Sequence, residues 1–206
     1  MGCGTAWGAW RPGDAGFVPT GAERRQECIS SNPVTCIWRK GKMFNSETYG
    51  KLNIEQIPEK LLAFYEMNKS AEGVFQIVVG TDSQNFNDTK MVTVIAAYKE
   101  GRGGIFFYEI DRINRITNVM QKLNTETSRS LEVMMQLAGE LEEESRYKKM
   151  RESTLLSIHV DAGWSDKGKT KELIPGLIGW IRACGFEAKC KPESFAASSI
   201  ADKISK

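Results

Sequence analysis

Two apolar runs, each closing on an aspartate, constrain this chain more than any other feature. Phe75 to Gln84 reads FQIVVGTDSQ, in which Phe75, Ile77, Val78 and Val79 lead into Gly80-Thr81-Asp82-Ser83. A short run rich in β-branched residues and bounded by glycine predicts a buried strand. Asp82 at its far end then sits beside apolar surroundings, where an ionised group is costly unless a metal or a partner neutralises it. Taken alone, it would read as an aspartate opening a turn. Leu155 to Gly163 (LLSIHVDAG) repeats the shape, with Asp161 in the matching place. Two such strands in a chain of 206 residues predict a shared site.

The elements around these runs follow from periodicity. Ile57, Leu61, Leu62, Phe64 and Tyr65 recur at helical spacing between Ile54 and Met67, with Pro58 in the first turn, where its missing N–H costs nothing. Met91–Tyr98 and Ile105–Ile110 predict two further strands, separated by the glycine-rich turn Lys99–Gly104. Short turns force antiparallel neighbours, so Phe75–Ile110 is expected to be a three-stranded meander. Leu131, Met134, Met135, Ala138 and Leu141 form one stripe of a helix strongest from Thr125 to Ser145. Beyond the Leu155–Val160 strand come a helix from about Thr170 to Cys184, stopping at Gly185, and a short strand Phe186–Lys191. A last helix is capped by Ser194 or Ser198. The order β-β-β-α-β-α-β-α implies an α/β fold with a mixed five-stranded sheet flanked by helices.

Composition narrows the setting. No apolar run approaches the ~20 residues of a membrane helix, and no signal pattern opens the chain, so no membrane is expected and the cytoplasm is the expected compartment. Five cysteines without a CxxC pair read as free thiols. Residues 1–42 carry six basic and three acidic side chains, which leaves the remainder at −1 within a net charge of +2. Contact with nucleic acid would therefore come from a local patch. Residues 1–42, rich in Gly and Pro with no sustained period, are expected to be a poorly ordered extension, with Met43 a candidate true start. Residues 43–73 are expected to be a helical lead-in, and 74–206 the main domain.

On this plan Asp82 and Asp161 end two strands, whose ends bring the carboxylates together if the strands are neighbours at the centre of the sheet; Asp202 lies in the last helix, and Glu126 and Glu132 lie on the long helix. Clustered carboxylates raise each other's pKa, and a divalent cation removes that repulsion. Hard oxygen ligands with open coordination positions suit Mg²⁺ or Mn²⁺; two ions ~4 Å apart would stabilise both oxygens of an in-line phosphoryl displacement. Glu126 and Glu132 are six residues apart, about 120° around the helix axis, so one of them at most faces a given metal.

The combination of GTDSQ, ETSRSLE, HVDAG followed by GKTKELI, and KPESFAASSIADK resembles the YkuK family of predicted nucleases within the ribonuclease H-like superfamily. The resemblance covers roughly Met43 to Lys206. It implies a metal-dependent nuclease acting on phosphodiester bonds in nucleic acid. By it, Asp82, Asp161 and Asp202 are metal ligands together with a glutamate of the long helix. The family pattern favours Glu132, whereas proximity to the positive end of the helix favours Glu126.

Around these acids, Ser83, Gln84, Lys167, Lys169, Thr170, Lys191 and Lys203 are candidate phosphate contacts. Trp164 would either stack on a base or cover the core. His159, the only histidine, reads as a packed side chain within the sheet rather than a proton carrier. A rival motif, Gly163–Thr170, matches the phosphate-cradling pattern G-x-x-x-x-G-K-[ST]. Against a nucleotide-binding role stand the one short strand that follows it and the absence of a later strand ending in Asp to hold Mg²⁺. A non-catalytic nucleic-acid-binding module of the same fold is the other alternative.

Overall fold

The computed structural model describes residues 42–163 and 169–205, and leaves out the side chains of residues 169, 197, 198, 202 and 205. The chain opens with a hairpin, β1 (Met43–Ser46) and β2 (Gly50–Asn53), with Gly50 at a φ of 71° that suits glycine. Asn53 and Gln56 then form a reciprocal cap: Gln56 N–H donates to Asn53 Oδ1 and Asn53 N–H to Gln56 Oε1, both at 3.0 Å. Helix α1 (Ile57–Asn68) follows, and Ile57, Leu61, Phe64 and Tyr65 are buried on its inner stripe.

Three long strands come next, β3 (Phe75–Asn85), β4 (Thr89–Lys99) and β5 (Gly104–Ile113), paired antiparallel almost end to end. At the α1 end of the meander, the buried Lys99 donates to the carbonyls of Asn68, which ends α1, and of Ala71 just beyond it. Helix α2 (Val119–Glu143) starts where Asn118 Oδ1 accepts from the N–H groups of Met120 and Gln121. A short helix, α3 (Lys148–Glu152), leads into β6 (Thr154–Gly163), then α4 (Lys169–Ala183) and β7 (Glu187–Lys191). Gly185, at a φ of 87°, ends α4 and lets Phe186 N–H reach the Ile181 carbonyl. The chain finishes in a π-helical turn, Ala196–Ala201, and α5 (Asp202–Ser205).

The sheet has seven strands in the order β2-β1-β5-β4-β3-β6-β7, with β6 parallel to β3 and to β7. The five expected strands are all present, in one mixed sheet. The two extra strands come from residues 43–53, where a helical lead-in was expected; these residues pair as a hairpin and join the sheet at β5. Four-residue strands leave too short a pattern for their period to be read. The middle strands also run further than expected. Thr81–Asn85 pair with Thr89–Thr93, so Asp82 lies inside β3 rather than at its end.

The sheet divides the core. On one face Ile77, Val79, Ile95, Phe107 and Ile158 pack against Leu61 of α1, Met134 and Leu137 of α2, and Ile174 of α4. On the other, Val78, Val92, Val94 and Ala96 meet Ala196 and Ala201 of the C-terminal segment. Burial of each large side chain here is worth roughly 2 kcal/mol. Among the described residues no helix is long and apolar enough to cross a membrane, and Cys184 and Cys190 are free thiols.

Candidate functional site

Alternation along β3 decides which side chains meet. Thr81 and Ser83 turn toward α2: Ser130 Oγ donates to Thr81 Oγ1 at 2.8 Å, and Ser83 Oγ donates to Glu126 Oε1 at 2.7 Å. Asp82, between them, therefore points to the opposite face, the one shared with Val78 and the C-terminal segment. It is buried, at 9% exposure. On the adjacent parallel strand His159 is the partner of Gly80, which puts Asp161 two residues on, level with Asp82. Beyond His159 the β6–β7 register shifts, so that Gly163 pairs with Lys191. Lys191 Nζ lies 3.0 Å from Asp161 Oδ1. That oxygen is buried and the Lys191 ammonium is the cation that faces it.

Glu126 reaches the same end of the sheet from α2, with 5% of its surface exposed. Burial pushes its carboxyl up to about 7; the Ser83 hydrogen bond and Lys122 oppose the rise, and the negative charges of Asp82 and Asp161 add to it. Lys122 Nζ stands 3.7 Å from Glu126 Oε1, one helical turn earlier. The negative charges of Asp82 and Asp161 thus reach the Glu126 carboxyl, although Asp82 lies on the opposite face of the sheet.

Glu132, which the family pattern favours, is carried elsewhere. Its Oε2 accepts from Arg129 Nη1 at 2.6 Å, and Arg129 Nη2 binds the buried Glu109 of β5. Lys42 joins the same group, 3.5 Å from Glu109 and 3.4 Å from Asp111. The physical reason is helical pitch. Glu126 and Ser130, four apart, share the face toward β3, while Arg129 and Glu132 share the face toward β5. Arg129→Ala would take one cation from Glu109 and leave Lys42 beside it. A loss of about 2 kcal/mol is expected from urea unfolding, below the full cost of breaking a buried pair because Lys42 stays in reach. An unchanged midpoint would show that this group contributes nothing.

Asp202 begins α5. Its backbone lies on the Asp82 side of the sheet: Ala201 is packed with Val92, the cross-strand partner of Asp82, and Lys90 Nζ donates to the Ile204 carbonyl at 3.1 Å. The side chain of Asp202 lies outside the described residues. So do Trp164, Lys167 and most of the Gly163–Thr170 motif, together with the side chain of Lys169. Thr170 is half-buried in the first turn of α4, Gln84 is half-buried on β3 beyond Ser83, and Lys203 is exposed on α5. Ser83 serves Glu126, a role that its place in the GTDSQ run did not disclose. Lys122, Arg129 and Ser130 were not singled out either; only the Lys122-to-Glu126 spacing of four was a usable signal.

His159 is 1% exposed and packed, as its strand position implied. Its ring meets Phe195 edge-on at 5.0 Å, and its Nδ1 accepts from Ala196 N–H at 3.2 Å. Burial, helped by the charge of Lys189, lowers its pKa to about 4, which keeps it neutral.

Among the described residues no group of three or more acidic, histidine or cysteine side chains already stands in metal-holding geometry. The donor set nevertheless fits a hard cation in kind: three carboxyls, one with its charged form strongly disfavoured, and a lysine ammonium against the second.

A family model described as "Ribonuclease H-like" matches residues 56–206. Over 171 residues the chain is 29% identical to "Uncharacterized protein YkuK" of Bacillus subtilis (strain 168), covering 80% of this chain and 97% of that one. Two solved structures of the Mos1 transposase catalytic domain with Raltegravir, one with Mn and one with Mg, are 12% identical to it. Each aligns with 66% of this chain; the chain spans 57% and 58% of their lengths, at TM-scores of 0.28 and 0.27, too low to bear on function.

Proposed function

This chain belongs to the ribonuclease H-like family, with YkuK as its relative, and on that basis we propose that it is a divalent-metal-dependent nuclease that hydrolyses phosphodiester bonds in nucleic acid. The observation that carries the proposal is Glu126: a buried carboxyl whose pKa burial raises and the charges of Asp82 and Asp161 raise further. Carboxyls held together against their mutual repulsion are the arrangement that a Mg²⁺ or Mn²⁺ ion relieves.

In this proposal Asp82, Asp161 and Glu126 hold the metal, and Asp202 contributes from α5. The ion would supply charge stabilisation for the attacking and leaving oxygens of the phosphoryl displacement, and a pair of ions would do so on both sides. The chain's own residues set the stage for this. The meander holds Asp82, and the parallel pairing of β3 with β6, which runs as far as Gly80 and His159, carries Asp161 toward it. Ser83 orients the Glu126 carboxyl by donating to one oxygen, which leaves the other available. Glu132, paired with Arg129, is left out of the metal set in this proposal. Gln84, Thr170, Lys167, Lys169, Lys191 and Lys203 are proposed to rim the phosphate path.

The direct test is cleavage of labelled single-stranded, duplex and hybrid substrates with Mg²⁺ or Mn²⁺, with and without excess EDTA. Cleavage that requires the metal and stops on chelation is expected. Binding of nucleic acid without cleavage of any of the three would overturn the proposal in favour of a non-catalytic binding module.

A further inference from the structure

The charge contact between Lys191 and Asp161 has a bearing on how the site fills, and this inference rests on the metal-dependent proposal above. Asp161 Oδ1 is buried and faces the Lys191 ammonium at 3.0 Å. A buried carboxylate oxygen facing a single cation gains most of its compensation from it. The lysine itself sits at an accessible margin. It ends β7, an edge strand of the sheet, and its side chain is 45% exposed while that of Asp161 is 21% exposed. A lysine on a flexible four-carbon stem moves its charge several ångströms with little backbone cost. An ion pair this accessible to water is weak, so a divalent ion can displace it.

The geometry points to Lys191 as a tethered counter-ion, which occupies Asp161 in the metal-free protein and is displaced when a divalent cation enters. Lys191 is then a positioning residue for metal loading. It keeps Asp161 compensated before the metal arrives, and it raises the cation concentration at which the site fills. At Glu126 the arrangement differs, since Lys122 stands further off, at 3.7 Å, and arrives from the same helix. Competition from Lys191 is removable by one substitution.

The test is titration of the full chain with Mn²⁺, followed by calorimetry and by thermal unfolding, for wild type, Lys191→Met and Lys191→Gln. Both variants are expected to bind Mn²⁺ about fivefold more tightly, the ratio that corresponds to loss of one weak competing ion pair. Both should also unfold at a lower temperature than wild type in EDTA, and gain more on Mn²⁺ addition. Equal or weaker Mn²⁺ affinity in both variants, with wild type binding normally, would overturn the role of Lys191 and leave the metal site standing. If neither wild type nor the variants bind Mn²⁺, the metal site and this inference fall together. The effect should also vanish in an Asp161→Asn background, and its persistence there would overturn the pairing as its cause.

Discussion

Replacement of Asp82 by Asn is expected to lower metal-dependent phosphodiester cleavage by about a thousandfold, equivalent to roughly 4 kcal/mol of transition-state stabilisation. The exchange is nearly isosteric, and Asp82 is held in an unbroken run of strand pairing from Phe75 to Asn85, so the backbone around it has little reason to move. What changes is one negative charge on a hard oxygen donor, which a divalent cation requires and a carboxamide supplies poorly. Far-UV circular dichroism should be unchanged, while Mn²⁺ affinity and cleavage both fall. Cleavage that persists at the wild-type rate would mean that the activity arises elsewhere.

The second large effect is a pH dependence carried by Glu126. Its pKa rises from 4.5 in the unfolded chain to about 7 in the folded one. A carboxyl with a raised folded pKa favours the protonated form in the native state. Its contribution is therefore intact below about pH 4.5 and is lost as pH climbs toward 7. The difference amounts to about 3 kcal/mol across that window, as an upper figure for a buried group. Glu126→Gln keeps an acceptor for Ser83 Oγ and removes the titration. In EDTA the variant should match wild type near pH 4.5 and exceed it by up to about 3 kcal/mol at pH 8, read from urea unfolding. With Mn²⁺ present the order should reverse at pH 8, because the variant has lost a ligand and wild type gains from binding. Parallel pH profiles for the two metal-free proteins would show that Glu126 does not titrate in this environment.

Much of the sheet was legible because β3 and β4 are long and almost wholly buried and the middle of β6 is buried too. Ile77-Val78-Val79 and Leu155–Val160 announce themselves by composition, and the glycine-rich turn at 101–104 forces the hairpin between β4 and β5. Gly104 has a further constraint, since a Cβ there would come within 2.8 Å of the Ala97 carbonyl. The hairpin at 43–53 was not legible, because four-residue strands have no measurable period and are stabilised by pairing with β5 rather than by their own pattern. The choice between Glu126 and Glu132 was equally closed to sequence. Both are acids on one long helix, and only the way α2 rolls against β3 and β5 places the first over Ser83 and the second beside Arg129.

From its residues alone this chain declares an α/β order of elements, two aspartates in matching strand positions and a third in the closing helix, since these depend on local pattern and on count. Tertiary structure alone decided that β3 and β6 lie side by side and parallel, that Asp161 meets Lys191, and that Glu126 is the helix carboxyl buried beside them. Those outcomes depend on strand pairing and helix rotation between segments far apart in the chain, which no local spacing encodes.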